Sequence, residues 1–326
     1  MNHQTESITN KKIDKPTDVL VSIVVITYKS EKYILETLES IKAQIYHNIE
    51  LIISDDCSTD STVEICRNWI EQNKERFIKT ELITTGKNKG IPANCNRGVK
   101  SANGQWIKLI AGDDILDRSC IINFLDHASN YPDATIISSS IQFFTDTFKE
   151  ANFGKVINPE EVVFFNSDTS ANRQHNMLLR ANYVHGASVM IKKTAITDVG
   201  GFDEKYPLLE DYPMFLKLTK AGYKIYGLNK VTVYYRRHNS SVLVHTGNMI
   251  FSNFYLEIRA FDIDYIYPDI TTAERIAKNL EYHRLRLFDW LGLNKETFLC
   301  KLLFEVTNIL NPAKAIINYG LRKSIK

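Results

Sequence analysis

Residues 19–28 read VLVSIVVITY, and this apolar run decides the start of the fold. Such a run is typical of a strand that is buried on both faces of a sheet. The next segment, SEKYILETLESIKAQI at residues 30–45, predicts a helix. Four apolar side chains recur in it at helical spacing: Ile34, Leu38, Ile41 and Ile45. The chain therefore begins its folded part with a strand and then a helix.

The same strand-then-helix pattern continues along the chain. IELIISDDCSTDSTVEICRNWI at residues 49–70 predicts a second strand and helix, and KTELITTG at 79–86 predicts a third strand. A helix from about 93 to 102 and a fourth strand, QWIKLIAG at 105–112, follow. Strands that alternate with helices predict a mostly parallel sheet that is covered on both faces.

Polar residues stand where three of these strands end. They are Thr27 and Tyr28, Asp55 and Asp56, and Asp113 and Asp114. Ligands of open α/β sheets bind outside the carboxyl ends of the strands. We therefore expect the three loops to line one crevice.

Asp113 and Asp114 are adjacent like charges, which repel unless something neutralises them. A pair of acids at a strand end is suited to Mg²⁺ or Mn²⁺, which prefer oxygen ligands and take others from substrate phosphates. The alternative is a solvated turn that caps the next helix. From the residues alone, both interpretations stay open.

Two other acid pairs invite similar alternatives. Asp55 and Asp56 are either hydrogen-bond acceptors for a nucleotide base or ribose, or turn residues. Glu210 and Asp211 begin a predicted helix, where acids complement the helix dipole. A carboxylate that projects into the crevice could instead accept a proton from an attacking hydroxyl.

The segment YYRRHNSS places Arg236, Arg237 and His238 just after a predicted strand. Arginine suits diphosphate, and histidine suits either a metal ion or phosphate. A rim of solvated cations is the alternative interpretation.

Composition limits the class of protein. The 326 residues are 44% hydrophobic, which is enough for one large core with an appendage. A net charge of +2 provides no general electrostatic surface for nucleic acid, so no nucleic-acid partner is expected. Five scattered cysteines suggest neither a disulfide framework nor a zinc ribbon, and they fit a reducing cytoplasm. The absence of G-x-x-x-x-G-K-[ST] and of G-x-G-x-x-G after the first strand argues against an ATPase and a nicotinamide dehydrogenase.

Six ordered segments between about residues 21 and 241 resemble family 2 glycosyltransferases of the GT-A fold. They are VSIVVITYKSEKYILETLESI, ELIISDDCSTDST, NKGIPANCNRGVKSANGQWIKLIAGDDIL, GASVMIKKTAITDVGGFDE, LLEDYPMFLKL and YYRRHNSSV. The resemblance implies an α/β fold with a Rossmann-like mixed sheet flanked by helices and a C-terminal helical extension.

We expect the following organisation of the chain. Residues 1–18 form a flexible tail, and residues 19–243 form the GT-A catalytic domain. Within that domain, 19–118 bind the nucleotide and 119–243 bind the acceptor. Residues 244–326 form a helical region that could contact a membrane.

The resemblance also implies roles for the residues at the strand ends. Thr27 and Tyr28 would line the base pocket, and Asp56 would recognise the base beside its neighbour Asp55. Asp113 and Asp114 match the family's metal-site acids. One of them would touch the ribose, and the other would hold the cation that bridges the donor diphosphate.

Further roles fall in the second half of the chain. Asp211 matches the catalytic base. Arg236 and His238 match a closing segment that meets the diphosphate or the metal. His185 and Glu210 are weaker candidates for contact with the diphosphate or acceptor.

The sequence departs from the family pattern at two positions. Many members have a further Asp two residues before the metal acids, whereas this chain has Ala111, so metal binding must depend on Asp113 and Asp114. The glycine that usually follows the base-pocket acids is Cys57, whose side chain would narrow the turn.

The implied function is inverting transfer of a hexosyl group from a nucleotide sugar, most simply a UDP-sugar, with Mg²⁺ or Mn²⁺. The implied acceptor is a glycan or a polyprenyl-diphosphate-linked saccharide, as in O-antigen and other cell-surface polysaccharide biosynthesis. Two alternatives stay open. A glycoside hydrolase also needs two carboxylates, and a sugar-nucleotide-binding protein could retain the fold without catalysis.

The end of the chain, residues 312–326, carries basic but no acidic residues: Lys314, Arg322, Lys323 and Lys326. Its apolar residues recur at helical spacing, which predicts a short basic helix that lies on an anionic membrane surface. The alternative is an ordinary terminal helix. We therefore expect a cytoplasmic protein that is peripheral on the inner face of the cell membrane.

Overall fold

The computed structural model describes residues 18–238, 249–252, 254–313, 315–316 and 319–320. The expectations for the tail at 1–17, for the boundary at 243 and 244, and for most of 312–326 lie outside these described residues.

The structure alternates strands and helices and then becomes helical. The described strands are β1 (Val21–Thr27), β2 (Ile49–Asp55), β3 (Lys79–Thr84), β4 (Trp106–Ala111), β5 (Ile115–Leu116), β6 (Ile136–Thr145), β7 (Phe153–Ile157), β8 (Val189–Lys192) and β9 (Ile225–Arg237). The described α-helices are α1 (Ile34–Lys42), α2 (Thr62–Asn73), α3 (Ile91–Ser101), α4 (Cys120–Asn130), α5 (Ala171–Leu178), α6 (Lys193–Asp198), α7 (Asp211–Lys220), α8 (Phe254–Phe261), α9 (Thr272–Trp290) and α10 (Phe298–Ile309).

The strands form one mixed sheet in the order β3-β2-β1-β4-β8-β6-β9-β5, with β7 added beside β6. The first four strands in this order are mutually parallel, and β8 pairs antiparallel to both β4 and β6. The predicted mixed sheet is confirmed. Its parallel half comes from the N-terminal strand-helix units, because parallel strands require crossover helices.

The sheet is covered on both faces, as the continuous apolar strands predict. Alternate residues of β1 enter different cores: Val21, Ile23 and Val25 face one cluster, and Val24 faces the other. The first cluster includes residues of α1, α2 and α4, and the second includes residues of α3, α5 and α7. The layers thus follow from a side-chain period of two along each strand.

The prediction that Ile45 belongs to the first helix is wrong. Helix α1 ends at Lys42, and Ile45 is 44% exposed in the following loop. There its backbone N–H donates to the Arg118 carbonyl, so the loop and not the helix determines its position.

The chain beyond β9 is helical where it is described, which confirms the expected C-terminal extension. Thr271 and Glu274 form a capping box at the start of α9. Among the described residues, no helix is both long enough and apolar enough to cross a membrane.

Candidate active site

The ends of β1, β2 and β4 lie side by side at one edge of the sheet. Thr27 is paired with Asp55 across β1 and β2, and Ile26 is paired with Ala111 across β1 and β4. The predicted adjacency of the three polar loops is therefore confirmed. Parallel strands in register bring their carboxyl ends together in this way.

The two residues that end β1 differ in exposure. The Tyr28 ring is 45% exposed, so one apolar face is available to stack on a planar ligand. Thr27 is buried, and its hydroxyl has no hydrogen-bond partner among the described residues. Its carbonyl accepts from the Asn94 side chain and from the Asp56 backbone N–H, which ties the three segments together.

Asp55 and Asp56 both bind parts of the protein. The Asp55 carboxylate accepts from the backbone N–H and the hydroxyl of Ser58, so it closes the turn after β2. Asp56 is buried; one oxygen lies 2.8 Å from Arg97 Nη2, and the other accepts from the backbone N–H groups of Lys89 and Gly90. Asp56 thereby holds the loop before α3 against the end of β2.

Arg97 and the 87–90 loop were not identified from the sequence as parts of the site. Gly90 has a φ of +91°, and an added Cβ would lie 2.8 Å from the backbone of Pro207. A glycine is therefore required where this loop meets the chain before α7. The NKG triplet was the available signal, because it is typical of a turn with positive φ.

Cys57 adopts the left-handed conformation that glycine favours, with a φ of +71°. The family's usual glycine at this position therefore has a conformational reason. The left-handed region costs a residue with a Cβ roughly 1–2 kcal/mol. Steric strain in the turn, rather than a narrowed pocket, is the consequence that the structure shows.

We expect Cys57→Gly to be more stable than Cys57→Ala by about 1 kcal/mol, because glycine relieves the strain and offsets its greater unfolded-state entropy. Urea denaturation of the two variants measures the difference. The matched control is the exposed Thr59, whose φ is not positive. There alanine should be the more stable of the two, and the same order at both positions would contradict the strain.

Asp113 and Asp114 have different environments although they are neighbours. Asp113 is partly exposed, and its Oδ2 lies 2.9 Å from His238 Nε2. Asp114 is 1% exposed; its Oδ1 accepts from the Arg236 backbone N–H at 2.9 Å, and its Oδ2 has no hydrogen-bond partner among the described residues. Burial and then the charge of Asp113 raise the pKa of Asp114 well above its usual range.

This donor set fits a hard divalent cation. A buried carboxylate oxygen without a partner is costly, and a cation nearby would compensate it. Asp113 and His238 add an exposed oxygen and an imidazole nitrogen. No group of three or more His, Cys, Asp or Glu side chains in the described part of the chain could hold an ion by itself. A cation at Asp113 and Asp114 would therefore take its remaining ligands from a diphosphate and water.

Arg236 does not point into the crevice. Its side chain is buried, with Nε donating to the Asp113 carbonyl at 2.7 Å and Nη2 lying 2.8 Å from Glu36 Oε2. Its Nη1 donates to the Asp146 carbonyl, and the guanidinium stacks 4.4 Å from the ring centre of Tyr33. Arg236 thus holds Asp113 and Asp114 in place from the protein side, and its contacts are all with protein groups.

The neighbours of Arg236 on β9 face the other way. Arg237 is exposed, with its guanidinium 4.0 Å from the ring centre of Phe143, and Tyr235 packs edge-on to the same ring at 5.5 Å. His185 also contacts Phe143, at 5.9 Å between ring centres. This face of β9 therefore gathers a cation and a phenol from the strand itself with an imidazole from a distant part of the sequence.

Asp211 lies at the start of α7 beside Gly186. Its Oδ1 accepts from the Tyr212 backbone N–H at 2.6 Å, and a Cβ at Gly186 would lie 3.0 Å from the Asp211 Cβ. Pro213 stands in the first turn of α7, where its missing backbone N–H costs little. Burial raises the pKa of Asp211, and burial together with the charge of Asp211 raises the pKa of Glu210. The two acids thus resist ionising together.

Tyr235 connects the two acid pairs, although the sequence did not identify it. Burial raises its pKa, and negative charge raises it further. The contributing carboxylates are Asp114, Asp113, Glu210 and Asp211. The residue after Tyr235, Arg236, donates its backbone N–H to Asp114, the Tyr235 and His185 rings both contact Phe143, and Gly186 lies against Asp211. These contacts link the two acid pairs through Tyr235. Side chains alternate between the two faces of a strand, so the YYRRH segment could have indicated that Tyr235 lies on the face opposite to Arg236.

A parallel strand-helix half, a mixed second half and acid pairs from both halves define a glycosyltransferase of the GT-A fold. The chain belongs to glycosyl transferase family 2, whose family model matches residues 22–200.

Comparison with individual proteins agrees with this assignment. The chain is 29% identical over 230 residues to the UDP-Glc:alpha-D-GlcNAc-diphosphoundecaprenol beta-1,3-glucosyltransferase WfaP of Escherichia coli, which covers 68% of this chain and 79% of WfaP. Other curated relatives are much longer, and the chain spans 20% and 34% of the lengths of two of them.

Solved structures share the fold. S. aureus TarS 1–349 in complex with UDP-GlcNAc matches with a TM-score of 0.54 and 19% identity, over 83% of this chain and 73% of that one. The mannosyltransferase PcManGT from Pyrobaculum calidifontis, in complex with GDP-Man and Mn²⁺, matches with a TM-score of 0.55 and 15% identity, over 94% and 85%.

Proposed function

We propose that this glycosyltransferase moves a hexosyl group from a UDP-sugar to a saccharide acceptor, with inversion at the anomeric carbon. The observation that carries the proposal is the chain of contacts that links Asp114, through β9 and Phe143, to Gly186 and Asp211. One acid pair is suited to the donor diphosphate and the other to the acceptor hydroxyl. A single displacement requires one base for the acceptor hydroxyl and charge stabilisation for the leaving diphosphate.

The proposed donor site is the edge formed by β1, β2 and β4. Tyr28 offers an exposed ring to the base, next to the buried Thr27. Asp56 supports this pocket by holding the 87–90 loop, and it turns to the base only by exchanging one of its protein partners. The complexes of TarS with UDP-GlcNAc and of PcManGT with GDP-Man support a nucleotide-sugar donor.

The proposed cation, Mg²⁺ or Mn²⁺, is held by Asp113 and Asp114 with His238 beside them. When bound, it offsets the negative charge that develops on the leaving diphosphate. The Mn²⁺ in the PcManGT complex supports this proposal. Ala111 provides no third carboxylate, so the two acids carry the site. Arg236 keeps both of them in place through its backbone and side-chain donors.

Asp211 is the proposed general base. It would take the proton from an acceptor hydroxyl as that oxygen attacks the anomeric carbon, and a raised pKa improves its match to neutral pH. Glu210 is adjacent to Asp211, and the two carboxyl groups share negative charge at the start of α7. His185 and Arg237 line the neighbouring face, where an acceptor approaches.

The proposed acceptor is a glycan or a polyprenyl-diphosphate-linked saccharide in cell-surface polysaccharide assembly such as that of O-antigen. The name of WfaP, which acts on alpha-D-GlcNAc-diphosphoundecaprenol, supports a lipid-linked acceptor. In this proposal residues 19–243 form the catalytic unit and residues 244–326 its helical extension. The protein would work at the cytoplasmic face of the membrane, where its five unpaired cysteines stay reduced.

Thermal stabilisation by nucleotide sugars tests the proposed function. A UDP-sugar at 100 times its Kd should stabilise the protein by about 2.7 kcal/mol, and only when Mg²⁺ or Mn²⁺ is present. The panel should include GDP-mannose and free UDP as comparisons. The proposal is refuted if no nucleotide sugar stabilises the protein with either metal. It is also refuted if the protein hydrolyses a glycoside without a nucleotide.

The coupled acids predict a pH effect. Transfer should decline as the pH falls through the raised pKa of Asp211, because a protonated base cannot accept the hydroxyl proton. Burial, and not the charge of Glu210, raises the pKa of Asp211, so Glu210→Gln should leave this acid limb in place. The pH profile of kcat at saturating substrates measures the limb, and a limb that moves in this variant would assign the base to Glu210 instead. Asp126→Asn, at an exposed position on α4, is the control and should leave the limb in place.

A further inference from the structure

Lys108 is a lysine buried in the middle of β4. It is 0% exposed and is among the largest fully buried side chains of the described residues. Trp106 and Ile110, which lie two residues to either side, pack in the first core cluster, on the face of β4 that Lys108 shares with them. Burying an ammonium group costs far more free energy than burying an apolar side chain, unless polar groups compensate. The charge of Lys108 therefore needs partners inside the fold.

The partners of Lys108 are backbone carbonyl groups. Its Nζ donates to the carbonyl of Ala187, and it lies 3.2 Å from the Leu109 carbonyl oxygen and 3.4 Å from that of Val189. Leu109 belongs to β4 itself, whereas Ala187 immediately precedes Ser188, and Val189 begins β8. The ammonium group therefore joins β4 to the segment that leads into β8.

Ala187 belongs to a tight turn, residues 185–188, which we call the 185–188 turn. The His185 carbonyl accepts from the Ser188 backbone N–H at 2.9 Å and from the Ser188 hydroxyl at 2.8 Å. The peptide group between Ala187 and Ser188 thus accepts from Lys108 through its oxygen and donates to His185 through its nitrogen. A cation on the oxygen polarises this peptide group, which strengthens the hydrogen bond that closes the turn.

Two serines of β6 also bind the 185–188 turn. Ser138 Oγ lies 3.0 Å from Ser188 Oγ, and Ser139 Oγ donates to the Ser188 carbonyl at 3.1 Å. All three serines are buried, so water competes little for these bonds. Buried polar groups from two strands, β4 and β6, therefore fix the turn, and Lys108 supplies a full charge to this network.

The 185–188 turn lies against Asp211. A Cβ added at Gly186 would lie 3.0 Å from the Asp211 Cβ and 3.3 Å from its Oδ2, so the turn packs closely on this carboxylate. Burial raises the pKa of Asp211, and the backbone N–H groups of Tyr212 and Gly186 lower it. The position of the turn therefore affects both the placement and the ionisation of the carboxylate.

We propose that Lys108 is a positioning residue for sugar transfer, which holds the 185–188 turn closed so that the turn holds the Asp211 carboxylate in place. The proposal rests on the proposed function, in which Asp211 is the general base. Lys108 acts through the turn and does not touch the substrate. The ionisable groups that face Asp211 are Glu210, Tyr212, Tyr235 and Cys95, and those near Lys108 are Cys120 and Asp114.

The Lys108→Met variant tests the proposal by kinetics. Methionine fills the buried site without a charge, and such a replacement is often neutral for stability. We expect kcat to fall by about 10- to 100-fold, because small displacements of a catalytic group have effects of this size. The donor KM should change by less than about 2-fold. The acid limb of kcat should move to higher pH, because Asp211 loses an N–H group that lowers its pKa.

Hydrogen exchange measured by mass spectrometry tests the turn without any substrate. In Lys108→Met, the amides of residues 185–189 should exchange at least about 10-fold faster than in the wild type, whereas those of α6 should not change. Ser188→Ala removes the hydroxyl bond to the His185 carbonyl and leaves Lys108 intact. It should change the exchange and the acid limb in the same direction. If Lys108→Met does not fold, Lys108→Gln takes its place, because glutamine keeps an N–H donor without the charge.

The matched control is Lys193→Met. Lys193 Nζ donates to the Ala102 carbonyl at 2.5 Å, beside the start of β4, so this variant also loses a bond from a lysine to a carbonyl. It should keep the wild-type kcat, acid limb and exchange of residues 185–189.

The proposal is overturned if the Lys108 variant keeps the wild-type exchange in the turn or the wild-type acid limb, or if Lys193→Met shows the same changes. A wild-type protein that transfers no sugar would refute the proposed function instead. The exchange measurement would then still decide whether Lys108 holds the turn.

Discussion

The Asp211→Asn variant should bind the donor normally and lose nearly all sugar transfer. Asparagine cannot accept the hydroxyl proton, and loss of a general base reduces rates by roughly 10²- to 10⁴-fold. The fold should survive, because the asparagine oxygen can still accept from the Tyr212 backbone N–H at the start of α7. Initial rates with a UDP-sugar and a saccharide acceptor, together with donor-induced thermal stabilisation, measure the two effects separately.

Glu210→Gln is the matched control for this experiment. It changes the adjacent acid in the same way but leaves the proposed base, so it should retain most of the rate and the acid limb of the pH profile. An Asp211→Asn enzyme with more than about a tenth of the wild-type rate would assign the base elsewhere. If donor stabilisation disappears as well, the residue acts in binding rather than in proton transfer.

The Asp113→Asn variant should lose the metal dependence of donor binding. Its amide oxygen can still accept a hydrogen bond from His238, but it no longer provides a charge for a cation. Electrostatic stabilisation of a leaving diphosphate by a metal is worth several kcal/mol, so the rate should fall by more than about 100-fold. Because Ala111 replaces the third acid that many family members have, only Asp114 would remain to hold the cation.

The control for this second experiment is Asp117→Asn. Asp117 is a nearby acid after the short strand β5, but its carboxylate accepts from the backbone N–H of Ser119, and asparagine can preserve that bond. The control should keep its response to Mg²⁺ and Mn²⁺. If the Asp113→Asn variant responds to either ion as strongly as the wild type does, the cation binds elsewhere or is not needed.

Much of the fold was predictable because it depends on local patterns. The continuous apolar strands predicted a sheet covered on both faces. Alternate residues of β1, such as Ile23 and Val24, indeed pack in two different cores. The sequence showed that Cys57 replaces the family's usual glycine. The positive φ at Cys57 shows why glycine is favoured at this position. Ile45 shows the limit of this reasoning, because periodicity alone does not mark where α1 ends.

The candidate site was only partly predictable. The polar residues at the ends of β1, β2 and β4 were identified because parallel strands bring such residues together. The positions within the RRH segment were not, because a strand alternates its side chains between two faces. The structure buries Arg236 beneath Asp113 and Asp114 and leaves Arg237 on the other face with Tyr235.

The sequence by itself determined the family, the mixed α/β class and the acids at the strand ends, because these depend on residue order, side-chain period and strand polarity. Only the tertiary structure decided that Asp56 is bound to Arg97, that Asp114 is buried with an oxygen that has no described partner, and that contacts through Tyr235 link the two acid pairs. Such contacts join segments up to about 120 residues apart. Their burial and charge depend on packing between the two halves of the sheet, which no local pattern contains.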